Sequence, residues 1–105
     1  MKIVNRGFIT VRPKQAFVDW ANIQDEEFQI DINAEPTVYL IEEDFFEVDP
    51  IIESNFKKIF MCELEAVTDD EEEYPEIKMD VFLTWFELEV GSTVIDLQED
   101  QLSAE

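Results

Sequence analysis

The side chains of this sequence that could do chemistry are almost all carboxylates. Asp and Glu number 27 among 105 residues, Lys and Arg number 7, and the formal net charge at pH 7 is −20. A pair of carboxylates can act as general acid and base only where a cleft raises the pKa of one of them. Among so many acids some pairs lie close together by chance, so a pair alone does not predict an enzyme.

Other catalytic and metal-binding groups are scarce. The chain has no His, one Cys (Cys62) and two Gly (Gly7 and Gly91). This composition excludes Ser-His-Asp catalysis, Cys-His catalysis and a thiolate zinc site. It also excludes a Gly-rich phosphate loop. We therefore expect no cofactor and no metal, and the sequence favours a role other than catalysis.

Two acidic clusters are the candidate partner-binding residues. The first is Glu42, Glu43, Asp44 and Glu47, and the second is Asp69, Asp70, Glu71, Glu72 and Glu73. A calcium loop would alternate its ligands and contain a turn Gly, and the second cluster does neither. Like charges in a row repel and stay solvated, so we expect a solvated loop there, with partner binding as the alternative. Phe45 and Phe46 lie inside the first cluster, as core anchors or as exposed hydrophobic contacts, and the core interpretation is preferred.

The cations lie mainly at the start of the chain. Residues 1–18 hold four cations and no acid, so the remaining residues, with three Lys and all 27 acids, carry −24. Arg12 and Lys14 flank Pro13, where a strand is expected to give way to a helix. A cation in the first turn of a helix is unfavourable, so an anion should compensate it. The candidates are an internal acid, Asp19 or the first cluster, and an external anion. Arg12, Lys14 and Trp20 are thus candidates for an anion-binding site or a structural junction.

The hydrophobic pattern predicts seven elements. They are a strand at 3–12, a helix at 14–22, a short edge strand or ordered loop within 25–35, a strand at 37–41, helices at 50–66 and 77–87, and a strand at 89–97. The near-continuous apolar run at 37–41 predicts a central strand. The order predicts an α+β fold, a two-layer sandwich with a three- or four-stranded sheet packed against about three helices. We expect one domain over 1–97 and a polar acidic tail over 98–105.

Periodicity also predicts the core. The expected buried residues are Phe17, Trp20, Val38, Leu40, Phe56, Ile59, Phe60, Phe82, Trp85 and Val94. Cys62 lies beside the apolar stripe of the long helix, and we expect it to be a buried or half-buried small hydrophobe.

The negative charge disfavours direct binding to nucleic acid and to anionic membranes, which need a cationic surface. A single Cys cannot form an internal disulfide, which is typical of a reducing compartment. No apolar run reaches the length of a membrane span, and no signal peptide is recognisable. We therefore expect a cytoplasmic protein.

Several stretches carry a resemblance that spans most of the chain. They are Val11-Arg12-Pro13-Lys14-Gln15 with Phe17, Asp19 and Trp20, then Glu35-Pro36-Thr37-Val38-Tyr39-Leu40, Tyr74-Pro75, Trp85-Phe86 and Asp96-Leu97. In these the sequence resembles a family of small uncharacterised acidic bacterial proteins. The resemblance implies a coherent fold and a bacterial source, and no catalytic role carries over.

Two functional hypotheses remain. The leading one is an acidic interaction protein that binds a basic protein partner, as an inhibitor, an immunity protein or a nucleic-acid mimic. The alternative is a small ligand-binding domain or enzyme that uses carboxylates with Trp20 and Trp85. An apolar pocket lined by either Trp and holding a buried acid would favour the alternative. The oligomeric state is left open.

The charge predicts a response to salt. Repulsion between exposed charges is screened over about 10 Å at 0.1 M ionic strength, so salt should relieve it. We expect Tm to rise when NaCl is raised from about 10 mM to about 500 mM, by about 4–8 °C for each kcal/mol of repulsion removed. Thermal denaturation followed by circular dichroism measures this. A Tm that stays flat or falls would mean that the acids are arranged in compensating pairs.

Overall fold

A computed structural model describes residues 1–24, 29–31, 33–43 and 46–98. In chain order the elements are β1 (Lys2–Val4), β2 (Gly7–Pro13), α1 (Gln15–Gln24), β3 (Thr37–Ile41), α2 (Val48–Glu65), a 3-10 helix (Glu71–Glu73), α3 (Met79–Trp85), β4 (Phe86–Gly91) and β5 (Val94–Asp96). The predicted α+β sandwich is confirmed: one face of a three-stranded sheet packs against the helices.

The sheet is antiparallel, and β2 is its middle strand, with β3 and β4 on either side. The prediction that 37–41 forms a central strand is therefore wrong, since β3 lies at an edge. Val38 and Leu40 lie opposite Thr10 and Phe8 on the outer face and are 57% and 49% exposed. An apolar run does not reveal that only one of its two faces is covered.

A bulge divides the long first strand in two. Val4 pairs with Val94, and Phe8 pairs with Gly91. Three residues lie between Val4 and Phe8, whereas two lie between Gly91 and Val94. One extra residue in one strand is a β-bulge, and the N–H of Arg6 donates to the carbonyl of Val4 at 2.9 Å within it. The same interruption divides the predicted strand at 89–97 into β4 and β5. The ring of Phe8 fills the space where Gly91 lacks a side chain.

The core lies between the sheet and the helices. Its buried members are Ile9, Val11, Phe17, Ala21, Ile41, Ile51, Phe56, Ile59, Phe60, Leu64, Phe82 and Phe86. The α2 members recur at helical spacing and form one stripe. Of the residues predicted to be buried, Phe17, Phe56, Ile59, Phe60 and Phe82 are confirmed, Trp20, Trp85 and Val94 are half-buried, and Val38 and Leu40 are exposed. Cys62 is exposed, so its predicted burial is wrong.

The segment after α1 is held by a side chain rather than by strand pairing. The amide of Asn22 accepts from the N–H of Ile30 at 2.8 Å and donates to the carbonyl of Ile30 at 2.9 Å. The described part of 25–35 contains no strand, which agrees with the ordered-loop alternative. Residues 25–28 and 32 lie outside the described residues, as do residues 99–105 of the predicted tail.

The core makes a direct prediction for Phe60. Its ring is fully buried, with centroids 5.4 Å from Phe82 and 5.8 Å from Phe86. Phe60→Ala should lower the free energy of unfolding by about 3–5 kcal/mol in a urea titration. Phe46→Ala, which truncates a fully exposed Phe, is the matched control and should change it by less than about 0.5 kcal/mol. A loss below about 1 kcal/mol for Phe60→Ala would contradict the packing described here.

Candidate partner-binding site

The first acidic cluster lies in the connection between β3 and α2. Glu42, Glu43 and Glu47 are exposed there, while Asp44 lies outside the described residues. Helix α2 begins at Val48 with Glu47 as its N-cap, two residues before the predicted start. Pro50 therefore occupies the third helical position, where the missing N–H costs nothing because the first four N–H groups of a helix lack partners.

An exposed aromatic side chain stands in this cluster. Phe46 is fully exposed, so the prediction of a core anchor is wrong for it, and Phe45 lies outside the described residues. An exposed aromatic side chain is a candidate anchor for a contact surface, because aromatic residues are enriched among those that dominate interface energetics.

Phe46 borders a shallow depression of about 410 Å³. Its lining residues are Glu42, Phe46, Glu47, Pro50, Ile51 and Ser54. The two charged members are both acids, and the Ser54 hydroxyl donates to the carbonyl of Pro50 at 2.9 Å. An apolar wall beside two carboxylates suits a Lys or Arg side chain, whose aliphatic stem packs on apolar surface while its charge stays in water. We call Glu42, Phe46, Glu47 and the rest of this lining the Phe46 depression.

The second acidic cluster forms an ordered loop elsewhere on the surface. Its five acids are exposed, and Glu71–Glu73 form a 3-10 turn whose N-cap, Asp70, accepts from the N–H of Glu72 at 3.1 Å. A side chain of α1 stabilises this turn, because Trp20 Nε1 donates to the carbonyl of Glu73 at 2.9 Å. These acids do not line the Phe46 depression. Among the described residues no group of three acids or thiols could hold a metal ion.

Lys14 is compensated by backbone carbonyls rather than by the predicted acid. Its Nζ donates to the carbonyl of Leu83 at 2.9 Å, and its backbone N–H donates to the carbonyl of Trp85 at 2.8 Å. Both carbonyls belong to the last turn of α3, where cations are favourable. Lys14 therefore joins the start of α1 to the end of α3.

Arg12 is placed beside acids of β4. It lies directly opposite Glu87 in the register. Thr10, Arg12, Glu87, Leu88 and Glu89 line a depression of about 280 Å³. Asp19, the predicted internal partner of Lys14, instead accepts from Gln15 Nε2 at 2.8 Å on the same helix.

The sequence patterns did not predict the partly buried pair of Tyr39 on β3 and Glu63 on α2. The Tyr39 hydroxyl donates to Glu63 Oε2. Burial raises the pKa of Glu63, and hydrogen bonds with Tyr39 and Thr37 act in the opposite direction. Burial, together with the bond to Glu63, also raises the pKa of Tyr39. Glu63 follows Phe60 by three residues and Ile59 by four, so the detectable signal was an acid within the apolar stripe of α2.

A third depression lies between α2 and α3. Asp49, Ile52, Glu53, Met79 and Leu83 line about 390 Å³. Neither Trp20 nor Trp85 lines any of these three depressions, and no charged side chain of the described residues is fully buried. The features that would favour a Trp-lined ligand pocket are therefore missing from these three surfaces.

Comparison with known proteins finds no match to a family model, to a curated protein or to a solved structure. The resemblance to small acidic bacterial proteins therefore stays a prediction. No helix in the described part of the chain has both the length and the apolar character of a membrane span.

The Tyr39–Glu63 pair makes a prediction about pH. Because the folded state raises the pKa of Glu63, it holds that proton more tightly than the unfolded chain, so this group lowers stability as pH rises above the ordinary carboxyl value. Glu63→Gln keeps an acceptor for Tyr39 and removes the charge. Relative to Glu63→Gln, the native protein should lose stability with rising pH, by at most about 1.4 kcal/mol per pH unit.

Urea titrations between about pH 4.5 and pH 7.5 measure this difference. The control is Glu65→Gln, which changes an exposed acid on the same helix. Its stability should vary with pH in the same way as that of the native protein. Parallel pH profiles for the native protein and Glu63→Gln would contradict the account of this pair.

Proposed function

We propose that this protein is an acidic interaction protein whose Phe46 depression binds a basic protein partner, as an inhibitor, an immunity protein or a nucleic-acid mimic does. The observation that carries the proposal is a fully exposed Phe46 beside a lining whose charged groups, Glu42 and Glu47, are both acids. Acids alone would attract a basic partner without providing a contact site. An exposed aromatic side chain alone would provide a contact site without a preference for a basic partner.

The proposed binding has a long-range and a short-range contribution. At long range the net charge of −20 attracts a basic partner, repels nucleic acid and speeds association. At short range Phe46 supplies apolar area that a partner can cover, and an aromatic anchor is the residue type that dominates interface energetics. The acids around it then prefer a Lys or Arg neighbour to an anionic one.

A direct test is binding of a labelled peptide in which Val alternates with Arg, measured by fluorescence anisotropy. Phe46→Ser should weaken binding about tenfold or more, as expected for an anchor residue. The double variant Glu42→Gln with Glu47→Gln should weaken it about fivefold or more, mainly at low salt.

The matched control is Glu72→Gln with Glu73→Gln, which makes the same change of charge in the second acidic cluster. It should alter the affinity by less than about twofold at 0.15 M salt, because these acids do not line the Phe46 depression and salt screens exposed charges that are not in contact. Equal losses in both double variants, with no effect of Phe46→Ser, would show unspecific attraction and overturn the proposal.

A further inference from the structure

Strand β3 has one unpaired edge. It bonds to β2 along Thr37–Ile41, and in the described part of the chain no strand pairs with its other side. In an antiparallel edge strand, alternate residues direct their N–H and C=O groups away from the sheet. Among the residues that the structure describes, a row of free donors and acceptors therefore runs along β3.

Between Thr37 and Ile41 this edge lacks the usual protection against strand pairing. Natural edge strands are blunted by charged residues, by Pro or by bulges. Strand β4, at the opposite edge, carries Glu87 and Glu89. Strand β3 reads Thr-Val-Tyr-Leu-Ile, with no charge and no Pro, and its register with β2 has no bulge.

The two ends of β3 are acidic. Glu35 precedes the strand by two residues, Glu42 and Glu43 follow it directly, and all three are exposed. Glu42 also belongs to the Phe46 depression. An extended segment lying along β3 would therefore meet carboxylates at both ends and reach the depression at one of them.

We propose that β3 accepts an extended basic segment of the partner as an additional strand of the sheet. Main-chain hydrogen bonds to the free edge would give affinity, as in other cases of strand addition. Cationic residues of the segment would face Glu35 at one end of β3 and Glu43 at the other, and aliphatic residues at alternate positions would lie beside Val38 and Leu40 on the outer face. This inference rests on the proposed function for the basic character of the partner.

Charge favours such a segment over a second copy of this chain. Antiparallel pairing of two β3 strands about Tyr39 would bring Glu35 of one copy beside Glu43 of the other, at both ends of the pair. Like charges that close repel, most strongly at low salt. A basic strand turns the same positions into attractive ones.

The test uses the Val-Arg peptide and two N-methylated forms of it. N-methylation removes N–H donors without changing charge, and the two forms carry the methyl groups on opposite sets of alternate residues. Only one set faces β3 in a paired strand. The affinity of one form should therefore be at least about tenfold lower than that of the parent peptide. The affinity of the other form should lie within about twofold of the parent value.

Amide hydrogen exchange by NMR gives the second readout. The peptide should slow exchange at alternate residues of Thr37–Ile41, with no change at the free edge of Phe86–Gly91. If both N-methylated forms bind like the parent while Phe46→Ser still weakens binding, strand addition is overturned and the proposed function stands.

The opposite result would separate strand addition at β3 from anchoring at the Phe46 depression. Protection of β3 with no effect of Phe46→Ser or of the Glu42 and Glu47 double variant would support strand addition and overturn the Phe46 depression as the anchor. No binding of the peptide would overturn both. Self-association through β3 in the absence of peptide, detected as a dimer by light scattering at about 0.5 M salt, would assign the edge to a second copy and overturn this inference.

Discussion

Mutual repulsion among carboxylates opposes compaction throughout this chain, in which 27 acids meet 7 basic residues. The structure tolerates it by keeping charge outside and aromatic area inside. Among the described residues no charged side chain is fully buried. The rings of Phe17, Phe60, Phe82 and Phe86 pack with centroid separations from 4.8 Å to 5.8 Å. Such contacts contribute area burial and ring–ring attraction together, and the remaining elements are arranged around them.

Polar side-chain contacts join elements that are distant in the sequence. Lys14 joins the start of α1 to the last turn of α3, and Tyr39 with Glu63 joins β3 to α2. The Phe46 depression lies where the connection from β3 enters α2, and Tyr39 lies on the edge strand β3 itself. A partly buried acid is costly in a chain already rich in acids. Its hydrogen bond with Tyr39 nevertheless links β3 to α2.

Local patterns predicted the helices and five residues of the core, all of them on helices, because helical periodicity directly marks which side chains face inward. They could not place β3, since Val38 and Leu40 are as apolar as the buried Ile41 and only strand order decides which face is covered. The bulge after Val4 was equally hidden, because it depends on a register set by a strand some ninety residues away. The acids of the candidate site were visible in the sequence. The exposure of Phe46 was not, because a Phe in a short connection fits core and surface equally well.

The central claim is that Phe46 contacts a basic partner. The most direct measurement places a photoreactive benzoylphenylalanine at position 46 in the cells that naturally make this protein, followed by irradiation and identification of the adduct. The matched control places it at position 23, because Ile23 is also exposed and lies on α1. The account predicts an adduct with a basic protein at position 46 and none with that protein at position 23. An acidic protein captured at position 46, the same adduct at both positions, or no adduct at position 46 would contradict it.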